Sequence, residues 1–289
     1  MAAGNWSFED DLGHHVEVAN RPARVLAYAQ AAQTLVRLGV PVVGYFGSQH
    51  HADAGAQPAL AGLDVPSVGS GDAVDHDLIR TLQPDLLVGV SYAGEVYGLS
   101  ETVAAELAGI APVLLIRIAG EPALEAIIGR FHQLAGALTD ASAVPDDETA
   151  LTSALARLTA AVNEQPAVRV TALSGGTPTD AYVANPAYWP GLRLLAEAGL
   201  PFTPTTAKGG WEVVKWTNLT SSHPADILLY DQRPNSLGDD QLATIPAWAE
   251  IPAVRAGQVL PWNPEPPLTF ETTAASVDTL TTAITALKP

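Results

Sequence analysis

Two short phrases, 141 residues apart in their aspartates, constrain what this chain can fold into. Leu82-Gln83-Pro84-Asp85-Leu86-Leu87-Val88 is echoed by His223-Pro224-Ala225-Asp226-Ile227-Leu228-Leu229. In each, a polar turn carrying Pro stops a helix, because the residue before Pro is pushed out of the right-handed helical region. An Asp then opens an apolar run too short for another helix, which is how a strand buried on both faces of a parallel sheet reads. One such unit in each half predicts two similar α/β lobes instead of one continuous sheet. Chains of two like lobes usually work in the cleft between them.

The rest of the chain fits this frame. Residues 6–18 alternate around Asp11-Leu12-Gly13 as a β-hairpin would. Strands are predicted at 24–27, 42–45, 86–89 and 113–116, with a helix at 31–38 stopped by Gly39. This alternation gives a mostly parallel sheet covered by helices. Helical spacing continues over 121–138. Beyond Pro145, Asp146-Asp147-Glu148 sets acids in the first turn of a second long helix, where its dipole favours them. That helix reaches about Gln165, a span of roughly 28 Å, enough to cross between two lobes. Then follow strand 168–173, helix 191–198, strand 227–230, helix 240–248, strand 258–261 and a last helix at 271–287. The expected division is an N-terminal lobe over 1–142, a connecting helix over 143–166 and a C-terminal lobe over 167–289.

Charge narrows the ligand classes. With 31 acidic and 14 basic residues, the chain is a poor match for nucleic acid or an anionic membrane surface. Such a field draws neutral or cationic ligands and repels multiply anionic ones. The absence of cysteine removes disulfides, thiolate metal sites and a Cys nucleophile. No apolar run is long enough to span a bilayer, and the start has no basic-then-apolar leader pattern. The expectation is either a cytosolic protein or one that begins after a removed leader.

Four segments, in order, carry a family resemblance over nearly the whole chain. They are the hairpin followed by Arg21-Pro22-Ala23-Arg24-Val25-Leu26, the phrase at 82–88, its echo at 223–229, and Ile251-Pro252-Ala253-Val254-Arg255-Ala256-Gly257-Gln258-Val259. Together they resemble the substrate-binding proteins of iron–siderophore and vitamin B12 ABC importers. The resemblance implies an α/β fold of the class III periplasmic-binding-protein type: two Rossmann-like lobes with mostly parallel sheets, bridged by a single long α-helix, with little hinge closure. It further implies a monomer without catalysis or cofactor, a cell-surface lipoprotein or periplasmic protein that hands its ligand to a membrane permease. Anchored relatives carry a Cys near the mature start, and this chain has none. Relatives also present an acid on each lobe to the permease, a role that falls here to Asp77 and, one position out of register, Glu197.

Ligands of α/β lobes meet the loops at the carboxyl ends of strands. Those loops are rich in aromatic residues: Tyr28, Tyr45, Phe46, Tyr92 and Tyr97, then Tyr188-Trp189, Trp211, Trp216, Tyr230 and Trp262. Any single Trp reads equally as core. As a group, flat amphipathic side chains suit a chelate with a bulky organic shell. Arg117 leaves a strand end and Arg233 follows another, and a guanidinium fork suits hydroxamate or carboxylate oxygens. A salt bridge closing the lobe is the plainer reading of Arg117. Trp189, Trp211 and Arg117 lead the candidates. Gly69-Ser70-Gly71-Asp72 lacks the third Gly of a dinucleotide fingerprint and reads as a cleft loop in which Ser70 or Asp72 meets ligand.

Other chemistries are less well supplied. His50-His51-Ala52-Asp53 would need further ligands, such as His76 or His223, to hold a metal ion. Gly89-Val90-Ser91-Tyr92-Ala93 approaches a nucleophile elbow, but Ala93 replaces its last Gly and His223 precedes a strand instead of following one. The expected ligand is therefore a ferric siderophore, with iron held by the chelator and no metal ligand from the protein. A ferric catecholate carries about three negative charges and needs many cations around it. Lysine occurs here only at 208, 215 and 288. A neutral or cationic ferric hydroxamate of the ferrioxamine kind fits better. Vitamin B12, haem, a bare metal ion and an esterase acting on siderophores are the alternatives.

Overall fold

The computed structural model describes residues 5–47, 64–120, 122–139, 146 and 148–287. The chain divides into two compact units, one of residues 1–146 with 267–269, the other of 147–266 with 270–289.

The first unit opens with a hairpin, β1 (Trp6–Glu9) and β2 (His15–Val18), followed by β3 (Val25–Tyr28), α1 (Ala29–Arg37) and β4 (Val42–Phe46). A small ribbon, β5 (Gly69–Ser70) and β6 (Ala73–Val74), precedes α2 (His76–Leu82), β7 (Leu86–Ser91), α3 (Glu101–Ala108), β8 (Val113–Arg117) and α4 (Leu124–Leu138). The main sheet is wholly parallel, in the order β4-β3-β7-β8. Its central strands β3 and β7 are buried along their full length, which is why their sequences are continuous apolar runs. Helix α4 buries Leu124, Ile127, Ile128, Phe131, Leu134, Ala135 and Leu138, the three-and-four spacing of one helix face.

The hairpin protects the sheet. Strand β8 is an edge, and an open edge invites pairing with other chains. Asp10, buried, accepts the Leu115 N–H through Oδ2 at 3.2 Å, and Asp11 Oδ2 accepts the Arg117 N–H at 3.0 Å. Arg130 on α4 binds Asp11 in turn and lies 4.9 Å over the Phe8 ring.

The second unit runs α5 (Glu148–Glu164), β9 (Val170–Gly175), β10 (Asp180–Ala184), α6 (Pro190–Glu197), β11 (Trp211–Lys215), α7 (Trp216–Ser222) and β12 (Ile227–Asp231). Three short helices, α8 (Asp239–Leu242), α9 (Pro246–Glu250) and α10 (Pro252–Arg255), lead to β13 (Val259–Trp262) and α11 (Phe270–Ala286). Its sheet has the order β11-β10-β9-β12-β13; β12 pairs in parallel with both neighbours, while β10 is antiparallel to β9 and β11. That antiparallel arm, not foreseen, makes this sheet mixed. Helix α5 packs along α11 within this unit, and Arg157 grips Asp278 across the pair at 2.7 Å. The single helix expected over 240–248 is two, because Pro246 lacks an N–H and holds Ile245 in an extended conformation.

The echoed phrases do the same work in both units. Asp85 accepts the backbone N–H groups of Ala23 and Arg24 at 2.9 and 2.8 Å, and its own N–H donates to the Arg24 carbonyl at 3.0 Å. Asp226 accepts the Arg169 N–H at 2.9 Å and donates its own to the Arg169 carbonyl at 2.8 Å. Strand pairing begins one residue later in each case, Val25 with Leu86 and Val170 with Ile227. The Asp therefore pins the register of two parallel strands at their start. Asp85 accepts a second backbone N–H, that of Ala23, and the arginine side chains differ. Arg24 turns to the Leu82 and Gln83 carbonyls, satisfying the open end of α2, whereas Arg169 binds Asp226 itself.

Candidate aromatic binding site

Three tryptophans from distant parts of the sequence meet in the second unit. Trp189 sits at the N-cap of α6, Trp211 opens β11 and Trp262 ends β13. Their ring centroids lie 5.2 Å (Trp189 to Trp211), 5.9 Å (Trp211 to Trp262) and 6.2 Å (Trp189 to Trp262) apart, all tilted or edge-on, with Tyr188 at 5.6 Å from Trp189. Such tilted geometries are the ones aromatic quadrupoles favour.

Hydrogen bonds and close backbone packing hold the wall in place. Trp189 Nε1 donates to the Gly210 carbonyl at 2.9 Å. Asn185 holds the approach to β11 by donating its side-chain amide to the Ala207 and Gly209 carbonyls at 3.0 and 3.1 Å. A Cβ on Gly210 would stand only 3.1–3.2 Å from the rings of Tyr188 and Trp189, so glycine lets the backbone approach them. Trp189 is buried, while Trp211 and Trp262 keep part of their surface open.

Behind the wall lies a charged group. The Arg233 guanidinium is 5.8 Å from the Trp211 ring centroid. Its Nε reaches both Asp231 carboxylate oxygens at 3.1 Å and one terminal nitrogen reaches Oδ2 at 2.8 Å; the other donates to Glu265 at 3.2 Å. The three side chains are 9%, 0% and 8% exposed. Arg233 thus lies beside the wall and is committed to two carboxylates. Neither partner was foreseen, although Asp231 closes an apolar strand run where a polar residue is conspicuous.

The first unit has an aromatic ladder of its own. Tyr28 contacts Phe46 and Tyr97 at 5.9 and 5.5 Å, and Tyr97 contacts Tyr92 at 4.6 Å. Tyr28 and Phe46 are fully buried, and Tyr92 and Tyr97 half-buried. Gly98 permits this packing: its φ is +89°, and a Cβ there would lie 2.3 Å from the Gly47 carbonyl oxygen. Arg117 is exposed at the end of β8.

Other candidates are placed differently from expectation. Trp216 and Tyr230 leave the wall and pack on Trp248 in the core, at 5.8 and 5.4 Å. Trp216 Nε1 donates to the Thr177 carbonyl and Tyr230 Oη to the Leu237 carbonyl, and burial pushes the Tyr230 phenol pKa up. Trp216 follows β11 and Tyr230 lies within β12, and both side chains fill the core of the unit. Tyr45 and Ser70 are buried at 1% and 3% exposure. Ser91 is buried too, and its Oγ accepts the Gly94 N–H at 2.7 Å, a turn-holding role. His50, His51 and Asp53 lie outside the described residues. Among the described residues, no three His, Asp or Glu side chains converge as a metal site requires. Asp77 lies in the first turn of α2, 96% exposed and paired with Arg80 at 2.8 Å on the surface, and Glu197 is exposed at the end of α6.

The sequence profile of the periplasmic binding proteins matches residues 25–266. The chain belongs to that family. Its members are extracytoplasmic binding proteins, not enzymes, and the fold described above is theirs. Among solved structures, this periplasmic binding protein is similar to DesE, a ferric-siderophore receptor protein from Streptomyces coelicolor, at 28% identity and a TM-score of 0.87, covering 98% of this chain and 99% of that one. The siderophore periplasmic binding protein from the fuscachelin gene cluster of Thermobifida fusca shares the fold at 18% identity and a TM-score of 0.67, over 95% and 100% of the two chains. So does the Fe3+–Desferal-bound siderophore binding protein FhuD from Vibrio cholerae, at 18% identity and a TM-score of 0.64, over 93% and 100%. No curated protein matches. No helix among the described residues is long and apolar enough to cross a membrane.

Proposed function

We propose that this protein captures a ferric siderophore, a hydroxamate of the ferrioxamine kind, and delivers it to the permease of an ABC importer. The observation that carries the ligand class is the wall of Trp189, Trp211 and Trp262 beside an arginine already occupied by Asp231 and Glu265. Indole faces bind the aliphatic shell of a chelate through dispersion and apolar burial. An arginine held by two acids is poorly placed to neutralise a trianionic catecholate complex, and the net charge of −17 opposes one from a distance. Likeness to DesE at 28% identity over almost the full length of both chains supports the siderophore assignment. Tyr92, Tyr97 and Arg117 are the first unit's ligand-contact candidates, and Asp77 and Glu197 those for permease docking.

The test is retention. Protein mixed with equimolar ferrioxamine B and passed through a desalting column should elute with the chelate's visible absorbance, whereas a ferric tris-catecholate and ferric citrate should remain behind. Retention of the catecholate with loss of ferrioxamine B would overturn the hydroxamate assignment.

A further inference from the structure

Two sides of the tryptophan wall come from separate turns, and one short side chain joins them. Trp189 closes the turn that follows β10, and Trp211 follows the segment 203–210. Asn185, just past β10, donates its side-chain amide to the Ala207 and Gly209 carbonyls of that segment at 3.0 and 3.1 Å. Its Oδ1 accepts the Ala187 N–H at 3.1 Å, inside its own turn. The backbone completes the link. The Asn185 N–H donates to the Gly210 carbonyl at 2.9 Å, the same oxygen that takes the Trp189 indole N–H. The Asn185 carbonyl accepts the Tyr188 N–H at 3.0 Å.

This pattern needs asparagine. It requires two N–H donors and an acceptor on a short stem, which a primary amide supplies. Aspartate would keep the acceptor but set a carboxylate against two carbonyl oxygens. Glutamine would carry the amide too far from its own turn. Pro186 disfavours a helical backbone at Asn185.

We infer that Asn185 is a positioning residue for chelate binding: it sets the 5.2 Å spacing of Trp189 and Trp211 ahead of the ligand, so the complex forms without having to order the wall. This rests on the wall being the chelate-binding surface. The Asn185 amide is committed to backbone groups, so it acts through the two turns and not as a ligand contact. Gly210 serves the same arrangement, since a Cβ there would crowd the Tyr188 and Trp189 rings at 3.1 and 3.2 Å. Trp262 then meets Trp211 from β13 at 5.9 Å.

The experiment compares the parent with Asn185→Asp and Asn185→Ala, and with Asp85→Ala as a variant weakened in the other unit. Near-UV circular dichroism reads the coupling of the indoles, and stopped-flow binding of ferrioxamine B gives the rates. Asn185→Asp and Asn185→Ala should lose much of the indole signal and release the chelate roughly ten times faster, with the far-UV spectrum of the parent. Asp85→Ala should melt earlier yet keep both the signal and the release rate, which separates positioning from a loss of stability alone. A parent-like signal and release rate in folded Asn185→Asp would overturn the inference. Should both Asn185 variants fail to fold, hydrogen exchange in the ligand-free parent decides. The Asn185, Ala187 and Tyr188 amides should then be protected as strand amides are, and rapid exchange that stops only on adding ferrioxamine B would sink the idea. If the parent binds no ferric hydroxamate, the functional reading fails, while the near-UV signals still decide whether Asn185 sets the wall.

Discussion

At the scale of single residues, the tryptophan wall and the core compete for the same side chains. Trp211 and Trp262 keep open surface, whereas Trp189 is buried and tied to Gly210 by its indole N–H. Trp211→Ala should therefore weaken chelate binding by about 1.5–3 kcal/mol, roughly ten- to hundredfold, with little change in melting temperature. Trp216→Ala is the internal control. Its side chain packs on Trp248, so it should lower stability by about 3–5 kcal/mol while any folded fraction binds normally. Calorimetric titration beside thermal melts separates the two outcomes. Normal binding by Trp211→Ala would displace the site from the wall. Residue type alone announced an aromatic-rich site but not which rings serve it. Trp189, Trp211 and Trp262 converge only after folding, and Arg233 meets Glu265 across 32 positions.

At the scale of elements, the strands buried on both faces were legible because burial leaves apolar runs, as in Leu86 to Ser91 and Ile227 to Asp231. Strands β10 and β11 were not. Their residues are partly exposed, and by sequence Trp211 falls in a loop. The Asp within each echoed phrase was visible, but its role was not, since it acts on a backbone N–H some sixty residues upstream. Asp85→Ala should cost about 1–3 kcal/mol by leaving the Ala23 and Arg24 N–H groups without that acceptor. Asp226 adds a pH dependence. The hydrogen bond from the Arg169 side chain, foremost, holds its carboxyl below the usual range despite partial burial. A depressed folded pKa means the stabilisation is fully present above the unfolded value near ~4 and disappears as pH falls through the folded one. Urea midpoints measured between neutral pH and about pH 3 should fall less steeply for Asp226→Asn than for the parent. Parallel curves would deny the pair that role.

At the scale of the whole molecule, the division into two units was legible from the echo, but its boundaries were not simple. The chain revisits the first unit at residues 267–269, where buried Leu268 donates its N–H to Thr34 Oγ1 at 2.9 Å. Thr34 also donates to the Gln30 carbonyl at 2.7 Å, a bond within α1 that hides its second use. Helix α5, which falls in the segment expected to connect the lobes, packs along α11 in the second unit. Delivery to a permease belongs to this scale. Asp77 and Glu197 are exposed, so Asp77→Ala with Glu197→Ala should leave chelate affinity and melting temperature unchanged while lowering chelate uptake in cells by several-fold. Undiminished uptake would remove them from the docking surface.

The central claim is that a chain with this fold and this wall holds a ferric hydroxamate. Its most direct test is tryptophan fluorescence during titration with ferrioxamine B, with ferric citrate and a ferric catecholate as controls. Six tryptophans supply the signal, and those of the wall would lie beside the absorbing chelate. The expected result is saturable quenching by ferrioxamine B, with a submicromolar midpoint of about −8 kcal/mol or tighter, and none by the controls beyond inner-filter loss. Absence of saturable quenching by ferrioxamine B in folded protein, or saturation by the catecholate alone, would contradict it.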